Sequence, residues 1–237
     1  MGGSDETTAT GKMLRFAHLR WLVRIIRHPS AILLLVQLIG LLLYPFIEHT
    51  RPARALFGAF GVLVLVLAIS MVRRTRGRAW ISACIALPAV LFNVLDLTMD
   101  MPALRPWWAA LEAMFYFYAA GCLISYMLAD RRATTDELFA AGATFTLLVW
   151  AFTYVFVLCQ TLQPGCFSAA VNPHEARSWT ELLFLSFALL SSTGIGDVIP
   201  ITVHARAVAS LEMFVGVMYV ALVVSRLIGL TLLRRGE

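Results

Sequence analysis

The chain has 237 residues, of which 60% are hydrophobic and only 14% charged, and its mean hydropathy is +0.80. Soluble domains carry roughly 25% charged and about 45–50% apolar residues, so a soluble enzyme or a nucleic-acid binder is excluded. The formal charge of +5 matters here for where it sits relative to a membrane, not as a DNA footprint. The four cysteines show no metal-ligand spacing, so no cofactor is expected. The polar start, with Asp5 and Glu6, lacks the basic character of a secretory signal.

In chain order, residues 13–28 place Arg15, Arg20, Arg24 and Arg27 among Leu14, Phe16, Leu19, Trp21, Ile25 and Ile26. That pattern suits an amphipathic helix on a membrane surface. A membrane-crossing helix needs about 20 mostly apolar residues. Stretches at about 31–47, 55–72, 79–98, 107–128, 138–160 and 205–233 qualify as six spans. Thirteen basic residues fall on the side holding Lys12, Arg73, Arg74, Arg76, Arg78, Arg131, Arg132, Arg234 and Arg235, against five on the other side. The positive-inside rule then puts both termini in the cytoplasm of a multi-pass protein of the cell (inner) membrane. Three regions are expected: a cytoplasmic N-terminus over 1–30, a four-helix transmembrane bundle over 31–134, and a pore domain over 135–237. Cys159 and Cys166 lie at the outer face, where a disulfide and two free thiols are both open readings.

The most informative stretch runs from Trp179 to Pro200. Ser178 or Thr180 caps a helix with Glu181 in its first turn. A helix over Trp179–Ser191 would reach about 20 Å at 1.5 Å per residue, which enters a bilayer and stops partway. The residues after it would return extended to the same side. Irregular backbone at that depth is tolerated only when protein surrounds it or water fills a cavity. One chain has one such loop, so several chains would surround an axis. Carbonyls that replace the water around an ion must all point inward, which needs alternating backbone geometry with some positions at φ > 0. Gly194 and Gly196, alternating with Thr193 and Ile195, are expected to supply it. Ser192 offers a hydroxyl at the inner end, and Asp197 concentrates cations at the outer mouth.

On these residues Trp179–Asp197 resembles the pore loop of the tetrameric potassium channel superfamily. Its filter, Thr-Val-Gly-Tyr-Gly-Asp, aligns without gaps on Ser192, Thr193, Gly194, Ile195, Gly196 and Asp197, and Ser186-Phe187 and Val198-Ile199-Pro200 fit the flanking pattern. Glu212, Gly216, Tyr219 and the run Val223–Gly229 are similar to the inner helix of bacterial six-span channels. The resemblance is specific over about 135–233. It implies an all-α homotetramer with a re-entrant pore helix, embedded in membrane lipid and passing monovalent cations. Potassium would sit at Ser192, Thr193, Gly194, Ile195 and Gly196, and Gly216 would be the gating hinge. Phe184 and Glu212 would support the filter: Phe184 from the place where the family often carries Trp, and Glu212 because its helix packs behind the pore helix.

Ile195 departs from the family's Tyr and Phe184 from its Trp, so a non-selective cation channel and a non-conducting accessory subunit remain as alternatives. The span over 107–128 has no basic residue, whereas a voltage sensor needs Arg or Lys at every third position. Gly-Ile-Gly-Asp also matches an intramembrane aspartyl protease signature, whose second carboxylate would be Asp96 or Asp100. The order of Pro102-Ala103-Leu104 runs against that reading. A plain glycine-rich turn before a helix is the remaining alternative. No enzyme activity and no nucleic-acid partner are expected.

Overall fold

The computed structural model describes residues 29–47, 63–64, 66–70, 79–99, 102–129 and 135–235. The expected surface helix over 13–28, most of the span at 55–72, and the arginines at 73–78 and 131–132 lie outside them. The described elements are α1 (Pro29–Ile47), α2 (Ala79–Met99), a 3-10 turn (Pro102–Leu104), α3 (Arg105–Ala129), α4 (Thr135–Leu162), β1 (Phe167–Ala169), α5 (Trp179–Leu190), β2 (Val198–Pro200) and α6 (Val203–Arg235). Among the described residues, three helical segments are long and apolar enough to cross a membrane: Arg105–Ala129, Asp136–Leu162 and Val203–Arg226. The first two match the expected fourth and fifth spans to within two residues at each end; the third begins two residues before the expected sixth span and its qualifying stretch ends at Arg226, short of the expected 233. The apolar parts described for α1 and α2 are shorter, Pro29–Leu43 and Trp80–Phe92.

Helix α4 is the hub, packing against α1, α3, α5 and α6. Its sequence suits that position. Gly142 lets α1 approach so closely that a Cβ there would lie 2.9 Å from Leu34 Cδ2. Thr144, Thr146 and Thr153 return their hydroxyls to the carbonyls of Ala140, Gly142 and Val149 at 2.7, 3.1 and 2.8 Å. These polar residues therefore bring no unmet donor into the interior. Aromatic rings join three helices on another side. Tyr116 of α3 stacks on Tyr154 of α4 and meets Trp150 edge-on, and Trp179 at the start of α5 packs against both Trp150 and Tyr154. Trp150 and Trp179 thus belong to an internal cluster. Trp80 and Trp107 are exposed, as belt residues are.

Two adjacent acids in the first turn of α4 hold different neighbours. Asp136 accepts hydrogen bonds from the Ser30 amide (3.4 Å), the Ser30 hydroxyl (2.9 Å) and Tyr126 of α3 (3.4 Å). Glu137 pairs with Arg226 of α6 at 3.3 Å. A buried carboxylate on the neighbouring helix thus draws Arg226 inward.

Between α4 and α6 the chain makes a ribbon too short to read from sequence. β1 and β2 pair antiparallel with Phe167 opposite Pro200, Ser168 opposite Ile199, and Ala169 opposite Val198. The Ile201 amide bonds to Cys166 O at 2.9 Å, and the Ala170 amide to Asp197 O at 3.3 Å. The loop between β1 and α5 folds around Arg177, which is buried. Its guanidinium donates to the carbonyls of Val171, Asn172 and Glu175 and to Glu181. The Gln160 side chain pairs with both backbone groups of Arg177, at 2.7 and 2.9 Å, tying the end of α4 to the start of α5.

Arg177→Ala is expected to cost roughly 1.5–3 kcal/mol, the scale of buried hydrogen bonds to a charged group. Hydrogen exchange should show lost protection over 166–178 with α4 unchanged. Equal loss in both regions would contradict this placement.

Candidate functional site

The site is the segment between α5 and β2. Helix α5 begins with a capping box. The Glu181 amide bonds to Ser178 Oγ at 3.3 Å, and Glu181 Oε2 accepts from the Ser178 amide at 2.7 Å. Ser178, and not Thr180, is therefore the cap. The 12 residues of α5 extend about 18 Å at 1.5 Å per residue, too short to cross a bilayer.

The C-terminus of α5 closes on itself. Ser191 is the C-cap and Ser192 turns left-handed at φ 59°. The Ser192 amide bonds to Leu189 O at 3.1 Å and the Thr193 amide to Ala188 O at 3.1 Å, the paired bonds of a Schellman motif. The Gly194 amide (3.2 Å) and Thr193 Oγ1 (3.3 Å) also reach Ala188 O. The Ser191 hydroxyl covers Phe187 O at 2.6 Å. Of the four carbonyls that a helix end normally leaves unmet, those of Phe187, Ala188 and Leu189 are thus served by the cap and the loop itself.

The expected alternation is half right. Gly194 has φ 69°, but the second positive φ is at Ser192 and not at Gly196. The helix stop demands a left-handed residue directly after its cap. By Gly196 the chain is already straightening into β2, where the Asp197 carbonyl meets the ribbon. Residues 191–197 are all exposed, Ile195 at 69%. The Asp197 carboxylate makes no hydrogen bond within the protomer among the described residues. Phe184, expected behind it, is half-exposed.

The opposite face of α5 is firmly held. Ser186 and Glu212 are both fully buried. Ser186 Oγ lies in hydrogen-bond reach of Glu212 Oε1 and 2.9 Å from Val149 O, so α4, α5 and α6 meet at one hydroxyl. One turn further on, Gly216 of α6 lies against Leu190, the last residue of α5. A Cβ at 216 would collide with the Leu190 carbonyl oxygen and come within 2.8 Å of its carbonyl carbon. The glycine expected as a hinge thus has a packing reason of its own, and α6 runs unbroken through it. Lower still, Phe145 of α4 packs against both Phe187 and Tyr219, and Tyr219 donates to Ala141 O at 2.6 Å.

Chemically, the segment presents backbone carbonyls, the three hydroxyls of Ser191, Ser192 and Thr193, and one carboxylate. Among the described residues no group of three His, Cys, Asp or Glu side chains comes together. Helix α2, which carries Asp96, packs on α3, while Asp197 lies directly before β2. Sequence reading missed Gln160, Arg177 and the Glu137–Arg226 pair. The Ser-x-x-Glu spacing of 178 and 181 was a usable signal for the cap beside Arg177, but a backbone-bonding arginine has none.

Cys159 and Cys166 are free thiols. Burial pushes the Cys166 thiol up to about 11, and nearby Cys159 adds to the rise.

Residues 138–231, running from the first turns of α4 into the last turns of α6, match a family described as ion channel. No curated protein and no solved structure matches the chain. The part of this membrane protein that holds the site is therefore similar to ion channels.

Gly216→Ala is expected to destabilise by about 1–3 kcal/mol, the scale of overpacking, because the atom in the way is backbone. Thermal unfolding in detergent measures it, and a neutral result would mean α6 shifts freely. The Cys166 pKa, raised to about 11, leaves little thiolate near neutral pH. Alkylation of Cys166 should stay slow there and accelerate as pH rises toward that value, as mass spectrometry of the labelled peptide would show. Rapid labelling near pH 7 would contradict the burial.

Proposed function

We propose that this chain is the subunit of a homotetrameric, passive cation channel, most readily permeated by potassium. It would lie in the cell's inner membrane with both termini cytoplasmic. One observation carries the reading: a short capped helix ends in a run of exposed residues, 191–197, within the segment that matches ion channels. Exposed carbonyls at bilayer depth need protein or water around them. Four copies about an axis meet that need and turn the liability into a pathway. The carbonyls of Thr193, Gly194, Ile195 and Gly196 and the Ser192 hydroxyl replace an ion's hydration shell. Asp197 draws cations to the mouth, and the negative C-terminal end of α5 points toward the cavity below. The apolar exposed face of α6, with Leu211, Phe214, Val217 and Met218, supports burial against neighbouring subunits and lipid. Gly216 is the proposed hinge, and Phe184 and Glu212 the proposed filter supports.

A second reading, a non-selective cation channel on the same fold, is favoured by Ile195. It stands where the resembling family uses Tyr, has no hydroxyl, and is 69% exposed. The test is reversal potential in liposomes with potassium opposed to sodium. Reversal near the potassium equilibrium value is expected. Reversal near zero with current would establish the second reading, and absence of current from a verified tetramer would reject both.

A further inference from the structure

Three oxygens stand in series inside the protein: Val149 O, Ser186 Oγ and Glu212 Oε1. Both contacts are within hydrogen-bond reach of Ser186 Oγ, and its single hydrogen can fill only one of them. The carbonyl has none to give. The Ser186 hydroxyl has one, and the 2.9 Å contact to Val149 O takes it. The gap between Ser186 and Glu212 then needs a second hydrogen, and only a carboxylic acid supplies it. Val149 O also accepts from the Thr153 hydroxyl at 2.8 Å, whose proton is thereby used.

The other carboxyl oxygen gives an independent argument. Glu212 Oε2 is buried without a hydrogen-bond partner. Half of a carboxylate's charge there would have no donor, a far larger penalty than a neutral carbonyl oxygen in the same place. No lysine, arginine or histidine among the described residues pairs with Glu212. The nearest-numbered cation, Arg206, is exposed and donates to Pro200 O at 3.1 Å.

We propose that Glu212 is a neutral carboxylic acid that donates its proton to Ser186, and that this donor positions the loop after α5. Ser186 and Leu190 are one turn apart on α5, and Glu212 and Gly216 are one turn apart on α6. The two pairs make two successive grips between the same helix faces. The hydrogen-bonded grip fixes the register of α5, and the glycine contact fixes the residue from which the loop departs. Glu212 touches no ion and acts through Ser186, so it is a positioning residue. Its effect on permeation rests on the channel reading above, whereas its protonation does not.

Two measurements on the full-length protein separate these. Infrared spectroscopy of the wild type at neutral pH should show a protonated-carboxyl band that disappears in Glu212→Gln. Absence of that band overturns the proposal whether or not the protein conducts. For permeation, the amide of Glu212→Gln keeps a donor for Ser186, so it should retain the wild-type reversal potential. Glu212→Leu should lower the potassium-to-sodium permeability ratio at least about fivefold, the lower end for removing one buried partner. A tetrameric Glu212→Gln as impaired as Glu212→Leu would overturn the proposal by showing that charge, not the donor, matters. Should Glu212→Leu fail to assemble, the infrared band and the Glu212→Gln reversal potential still decide.

Discussion

Helix α5, too short to cross a bilayer, must satisfy its own last carbonyls, and much of the surrounding fold is arranged around that demand. In a lipid environment an unmet backbone group costs several kcal/mol. Helix α5 meets the demand locally. Ala188 O receives the Thr193 and Gly194 amides and the Thr193 hydroxyl, and Phe187 O receives the Ser191 hydroxyl. These bonds bend the chain sharply enough that Ser192 accepts a left-handed conformation. The residues beyond the bend, 193–197, are left exposed on the protomer.

Such a segment keeps its geometry only if both of its ends are fixed. The upper end is fixed by the ribbon pairing β2 with β1 and by the Arg177 knot, which lies beside the capping box of the same helix. The lower end is fixed from behind, by Ser186 with Glu212 and by Leu190 with Gly216. Both sets of contacts lead to α4, through Gln160 above and Val149 below. That explains why α4 carries glycine and back-bonded threonines. A hub needs small or internally satisfied side chains on nearly every side.

How much of this could be read in the sequence follows from the range of each interaction. The spans at 105–129, 136–162 and 203–226 were legible because apolar length is a local property. So was the start of α5, because Ser178 and Glu181 are three residues apart and serve each other. The Schellman stop at Ser192 was obscured by two nearby glycines, which draw any expectation of positive φ to themselves. The ribbon, the Arg177 knot and the Glu137–Arg226 pair were illegible for a different reason. Each joins residues whose partnership depends on tertiary packing, and a three-residue strand or a lone arginine leaves no period to detect. Glu212 was legible as a charge in an apolar run and as an expected support behind the pore helix. That it faces Ser186 came from the packing of α6 on α5.

The contact between Gly216 and Leu190 constrains how the proposed channel opens. A bend centred on Gly216 would pull α6 from the residue that launches the loop, so an inner-gate movement and loop geometry would change together. A movement confined below Tyr219 would first strain the Tyr219–Ala141 bond and the Arg226–Glu137 pair, leaving the grips at 212 and 216 in place. Helix α4 is the common partner in both lower contacts, and its first turn also holds α1 and α3 through Asp136. The lower route therefore connects the peripheral helices to α6 through adjacent residues, whereas the upper route connects α6 to the loop. The two lie on one helix but engage different neighbours, which allows the inner end and the loop to respond separately.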